Sequence, residues 1–162
     1  MNHWKYNMAD ITQRAAEYTA KREAEEALKP KSKYTYDELM AALIWVWDSF
    51  DRAGMTMLAV FDTAKQIQKN EDLSGDGIDV AVRRLEWESG GKSILDAFLE
   101  HYNISYRISD NGKLAVYDHY GVPIRVHILE ENECLSNYDT VVYRMEHFKL
   151  PNPYSKFEQL YG

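Results

Sequence analysis

The sequence predicts an α+β domain, with a mixed β-sheet flanked by helices. Three observations predict it. Residues 36–53 carry apolar side chains at helical spacing behind a capping signal. Two apolar runs of strand length, Met55 to Phe61 and Ile78 to Val82, stand on either side of a polar loop. Beyond residue 104 the chain becomes rich in β-branched and aromatic segments, two of which flank Asn111-Gly112.

Taken in order, residues 1–33 read as an N-terminal helical arm and linker, and residues 34–162 as the domain. Residues 9–29 are rich in Ala, Glu, Lys and Arg and stop at Pro30, which favours helix up to about Leu28. The apolar face of that helix is thin, with Ile11, Ala15 and Tyr18, so a solvated arm is expected. In the next helix Thr35 and Glu38 form a capping-box pattern, Leu39, Leu43, Val46 or Trp47, and Phe50 share a face, and Gly54 follows the end. Trp45 and Trp47 broaden its apolar surface. Between the two central strands, Thr63 to Gln68 fits a helical turn or two with Asp62 as its cap.

Residues 89–102 predict another amphipathic helix, with Ile94, Leu95, Phe98 and Leu99 inward. Ile104 to Ile108 and Lys113 to Tyr117 then read as a hairpin, and Val122 to Leu129 as a strand. Thr140 to Phe148 reads as the last strand of the sheet, and Pro153 to Leu160 as a terminal helical turn or two.

Composition narrows the function. A chain of 162 residues, 45% hydrophobic and 13% aromatic, is long enough for one domain with a substantial core. Its formal charge of −7 implies no general affinity for a nucleic-acid backbone. Cys134 is the single cysteine, which excludes an internal disulfide framework and suits a reducing compartment. No apolar run approaches the roughly 20 residues of a membrane span, and the charged stretch from Ala9 to Lys29 is unlike a signal peptide. A cytoplasmic location without membrane attachment is expected.

Two familiar motifs fail on register. Asn70 to Gly77 suggests a calcium loop, but with Asp72 first the apolar eighth position is Asp79 and the closing acid is Arg83. Ser89-Gly90-Gly91-Lys92-Ser93 ends like a phosphate-binding loop, but Glu86 stands where its first glycine belongs. The five histidines show no metal-ligand spacing.

The order of strand, turn, helix and acid-bearing strand, followed by helix, hairpin and a third strand, resembles the nucleotidyltransferase fold over roughly residues 36–161. The ending, Phe148-Lys149-Leu150-Pro151-Asn152-Pro153-Tyr154 with Phe157, Leu160, Tyr161 and Gly162, is similar to the close of the LicD-type branch. Proteins of that branch resemble choline-phosphate or sugar-phosphate transferases. The resemblance implies a Gly-Ser or Gly-Thr turn that cradles phosphates. It also implies three carboxylates holding two divalent cations against a triphosphate.

This chain departs from that pattern at each point. Asp62 stands at the turn's glycine, where its charge repels a triphosphate, while Thr63 keeps the hydroxyl. The Asp-x-Asp positions hold Gly77 and Asp79. Asp76 precedes them by one residue, and strand alternation points it to the other face. Arg125 occupies the place of the third acid, with His127 two residues on and on the same face. A guanidinium there binds a phosphate or pairs with Asp79. Lys65, Arg83, Arg84 and Arg125 supply positive charge either to a phosphate or to a surface salt-bridge network.

The first expectation is therefore a degenerate nucleotidyltransferase-fold protein that binds a nucleotide, a phosphorylated ligand or a protein partner, without metal or cofactor. Its ligand-binding residues are Asp62, Thr63, Lys65, Arg83, Arg125 and His127. The alternative is a magnesium-dependent transferase with Asp76 and Asp79 catalytic and Asp62 or Asp118 as third carboxylate. A further alternative is an acidic protein-binding inhibitor, as in phage-borne proteins directed against host defence, its many Tyr and Trp residues meeting a basic partner. For the arm, deletion of residues 1–30 is expected to leave the melting temperature of the remainder unchanged within error in a thermal scan; a large drop would show that the arm packs.

Overall fold

The computed structural model describes residues 8–28, 32–102, 104–130 and 138–151. The chain divides into two compact units, Met1–Lys31 and Ser32–Gly162. In the first, helix α1 (Met8–Leu28) exposes every side chain from Ala9 to Ala24, and Gln13 donates to Glu17 one turn on (3.1 Å).

The second unit runs α2 (Tyr36–Arg52), β1 (Met57–Ala59), α3 (Phe61–Gln68), β2 (Ile78–Arg83), a short α4 (Arg84–Glu86), a π-type turn (Trp87–Gly91) and α5 (Lys92–Tyr102). Strands β3 (Tyr106–Ile108), β4 (Leu114–His119), β5 (Val122–Leu129), β6 (Tyr138–Tyr143) and β7 (Glu146–Pro151) follow.

Helix α2 starts as its sequence dictates. The Thr35 hydroxyl accepts from the Glu38 N–H (3.2 Å), and the Glu38 carboxylate accepts from the Thr35 N–H (3.0 Å). Its buried face holds Leu39, Leu43, Val46 and Phe50, each fully covered, and Gly54 turns the chain away at φ 75°. The sheet beneath it is mixed, in the order β1-β2-β5-β4-β3. Strands β2 and β5 pair in parallel, and the other pairings are antiparallel. The two apolar runs singled out in the sequence thus lie side by side.

Alternation along β5 divides the sheet into two faces. Val122, Ile124, Val126 and Ile128 are buried in the main core, whereas Pro123, Arg125, His127 and Leu129 are only half-buried on the other face. Strand β2 is an interior strand, between β1 and β5, and is buried from Ile78 to Val82. Its pairing sets Asp79 beside Arg125 and Ala81 beside His127.

Several local expectations are corrected. Helix α3 begins at Phe61 with Val60 as its N-cap and no side-chain cap bond, so Asp62 is not the cap. Helix α5 begins at Lys92, because Ser89 and Gly90 (φ 122°) leave helical geometry. Leu95 and Leu99 point inward, but Ile94 is 56% exposed and Phe98 is only half-buried. The segment 140–148 is two strands forming a separate two-stranded sheet. They turn at Arg144 and Met145, both at positive φ, where neither glycine nor asparagine signals a reversal. Cys134 and the turn at Pro153 to Leu160 lie outside the described residues, among which no helix is long and apolar enough to cross a membrane.

Leu43, on the face of α2 that packs into the core, sits at 0% exposure. Leu43→Ala is expected to cost about 2–5 kcal/mol in denaturant unfolding, with no change in the denaturant dependence. A cost within error would place this helix face outside the core.

Candidate functional site

The site is built where β2, β5 and the start of α3 meet, on the sheet face away from α2. Asp79 is the only charged side chain among the described residues that is buried, at 8% exposure. Its carboxylate is gripped from β5. Arg125 Nε donates to one oxygen (2.8 Å) and Nη2 to the other (2.9 Å), a two-point bridge. His127 Nε2 lies 3.0 Å from the first oxygen and donates when that nitrogen carries the proton.

The backbone of Asp79 is tied as well. Its N–H donates to the Thr63 hydroxyl oxygen (3.0 Å), and its carbonyl accepts from the Val60 N–H (3.1 Å). Thr63 is therefore buried at 3% exposure, and its oxygen is committed to the β2 backbone. Phe61 stands between these two anchors at φ 52°, an uncommon conformation for a bulky residue, with its ring edge-on to His127 at 4.9 Å.

Asp76 also reaches the cluster. Strand alternation had pointed it away, but Gly77 intervenes at φ 153° and the Asp76 carboxylate accepts from Arg125 Nη2 (3.1 Å). Gly77 is required by space as much as by angle. A Cβ there would lie 2.5 Å from the Pro123 carbonyl oxygen and 3.0 Å from Arg125 Nη1. No side chain fits at that position while the Pro123 carbonyl lies where it does.

The remaining candidates lie on the adjoining elements, some of them in contacts of their own. Arg83 ends β2 in register with Leu129, two strand steps beyond Ala81 on the same face. Lys65 and Asp62 are both exposed, at 41% and 82% of their side chains, and sit 4.0 Å apart. Asp118 accepts from the Gly121 N–H (2.8 Å) and so holds the β4–β5 turn. Arg84 forms a separate network, with Glu130 at 2.7 Å, Glu88 at 3.3 Å and the Gly112 carbonyl at 3.1 Å. Two contributors were not singled out from the sequence. Phe61 gave no signal, since an aromatic after an apolar run reads as strand, while Gly77 was visible only as a missing acid.

Electrostatics favour the bridged state. Burial pushes the Asp79 carboxyl up, but the hydrogen bonds from His127 and Arg125, together with the guanidinium charge, outweigh it and hold the carboxyl below the usual carboxylate range. The same bonds raise Arg125 above its already high value, against its own desolvation.

A turn from β1 through α3 onto an acid-bearing β2, with a parallel β5 beside it, defines a fold of the nucleotidyltransferase type. The chain is similar in structure to the lincosamide antibiotic adenylyltransferase LnuA in its lincomycin-bound form, at a TM-score of 0.53 and 9% identity over 71% of this chain and 85% of that one. It is also similar to an antigenic nucleotidyltransferase-like protein from Paracoccidioides brasiliensis, at a TM-score of 0.48 and 10% identity over 77% of this chain and 64% of the other. No protein-family profile and no curated protein matches the chain.

Because the Asp79 carboxyl is depressed in the folded state, its stabilisation is complete above its unfolded value of about 3.9 and is lost as pH falls through the lower folded value. Asp79→Asn is expected to cost about 2 kcal/mol at neutral pH. The gap from the unmodified protein should close as unfolding is repeated at pH 4, 3 and below. A gap that stays constant with pH would show that the charge contributes nothing.

Proposed function

We propose that this protein is a degenerate nucleotidyltransferase-fold protein that binds a nucleotide or another phosphorylated ligand on the Asp79–Arg125 face without metal-dependent transfer. One observation carries the reading: a guanidinium, not a cation site, sits against the acid of β2. The residues present do not fit the pair of magnesium ions that the fold implies. Two ions side by side repel and need several anionic ligands to hold them. Here Gly77 offers none and has no room for one, and Arg125 adds a positive charge. Positive charge for a ligand phosphate comes from the Arg125 guanidinium, whose bridges to Asp79 and Asp76 use Nε and Nη2, and from Lys65 on α3 and Arg83 at the end of β2, the elements that frame the face.

A second reading has one observation in its favour. Asp76 and Asp79 converge on a single guanidinium, so a cation that displaced Arg125 would meet both carboxylates. In that case the protein is a transferase with these two acids catalytic.

Calorimetric titration with magnesium and manganese, with and without nucleoside triphosphates, decides between the two, alongside a pyrophosphate-release assay. The expected outcome is no metal binding in the micromolar range and no turnover above the protein-free blank. Nucleotide affinity should persist in a chelator and fall at least about tenfold in Arg125→Ala. Micromolar metal binding that disappears in Asp79→Ala, or turnover above the blank, overturns the proposal in favour of the transferase.

A further inference from the structure

A second concave surface shares no residue with the Asp79–Arg125 cluster. It follows the outer side of α2, where residues 37, 41, 45, 48 and 52 fall on one helical face. Two cavities of about 310 and 320 Å³ adjoin along it and share His119 and Tyr120. The first is walled by Trp45, Phe98 and Tyr102, the second by Asp37, Glu38 and Ala41. From residue 37 to 52 the helix rises about 22 Å, the span of roughly seven residues of extended peptide.

The surface is aromatic and firmly held. Tyr120 is 89% exposed, yet its backbone is fixed in the two-residue β4–β5 turn at φ 51°. Asp118 bonds the Gly121 N–H, and the Tyr34 hydroxyl donates to the Gly121 carbonyl (2.9 Å). The Tyr120 ring meets His119 edge-on at 4.8 Å, and His119 lies tilted against Trp45 at 5.3 Å. Burial lowers the His119 pKa, so near neutral pH the ring acts as an aromatic wall and adds no positive charge. Tyr102 adds a further ring, 55% exposed.

The charge along the trough has one sign in excess. Asp37, Glu38 and Asp48 oppose the single cation Arg52, on a chain whose formal charge is −7. The exposed Tyr102 and Tyr120 rings and the half-buried Trp45 beside carboxylates suit the long stem and cationic head of Lys or Arg, with the stem on the rings and the head over a π-face or against an acid. The length exceeds what a small organic cation needs. We propose that the trough along α2 is a docking site for an extended basic segment of a protein partner, about seven residues long, anchored by a Lys or Arg laid across Tyr120 and Trp45.

The probe is a seven-residue peptide of alternating Arg and Leu, compared with its Glu and Leu counterpart and with arginine amide, titrated into the full-length ¹⁵N-labelled protein. The basic peptide is expected to shift the amides of Ala41, Trp45, His119, Tyr120 and Gly121. Its affinity should weaken at least about tenfold in Tyr120→Asn, a substitution that tolerates the positive φ and leaves the buried face of α2 intact. In Asp37→Asn/Glu38→Gln the loss should be smaller and should disappear at high salt. The proposal is overturned if the basic peptide causes no shifts at millimolar concentration, or causes shifts scattered over the acidic surface that are indifferent to Tyr120→Asn. Equal binding of the acidic peptide also overturns it, and arginine amide matching the peptide's affinity assigns the site to a small cation instead.

Discussion

The structure depends on one interaction: the two-point bridge from Arg125 to Asp79. Strand β2 is flanked by β1 and β5 and buried, so a carboxylate on it is removed from water, and an unpartnered charge there is among the costliest features a core can hold. The parallel register of β2 and β5 supplies the partner directly, since Asp79 and Arg125 are neighbours across the pair and His127 is two residues further along. The same residue also anchors the chain that precedes it. Its N–H and carbonyl bind Thr63 and Val60, on either side of the turn into α3, so one position ties together β2, the start of α3 and, through Arg125, β5.

The other departures at the site fit around that bridge. The Pro123 carbonyl, 2.5 Å from where a Cβ would stand, leaves a side chain at residue 77 no room, and the Arg125 guanidinium closes the space further at 3.0 Å, so glycine is the residue that remains. Glycine at φ 153° in turn lets the preceding residue turn inward, which brings the Asp76 carboxylate onto the outer nitrogen of the same guanidinium. The missing acid at 77, the arginine at 125 and the inward Asp76 are thus one arrangement. Placing an acid at 77 alone drives its Cβ into the Pro123 carbonyl, and removing Arg125 alone leaves Asp79 buried without its main partner.

Much of this was legible in the sequence because its causes are local or periodic. The Thr35–Glu38 capping box and the 3.6-residue spacing from Leu39 to Phe50 specify α2 without reference to anything distant. The period-two alternation of Val122 to Leu129 separates core from site face, and it places Arg125 and His127 together before any pairing is known. What escaped depends on contacts between distant segments. Arg144 and Met145 adopt positive φ with no glycine to mark it. The Arg144 side chain pairs with Asp72 (2.9 Å), bonds the Asn70 carbonyl (3.2 Å) and stacks over Tyr36, and these are partners some 70 to 110 positions away in sequence. Phe61 escaped for a similar reason, since its conformation is held by the Asp79 backbone and by His127.

The two surfaces of the domain share a single rigid support. Tyr117 is fully buried on β4, with Phe50 edge-on at 6.0 Å, Tyr106 at 5.1 Å and Trp45 at 6.4 Å around it. In register it sits beside Ile124, the residue next to Arg125. Trp45, which lines the outer trough, therefore rests on the same aromatic stack that backs the strand carrying Arg125 and His127. Dense packing of this kind passes strain on and does not absorb it, so the ring stack holds Trp45 and backs β5, while Asp79, Asp76 and Phe61 hold Arg125 and His127 on the far face. The two surfaces differ in what they present, a guanidinium bridged to carboxylates on one and aromatic rings beside acids on the other, with the sheet between them.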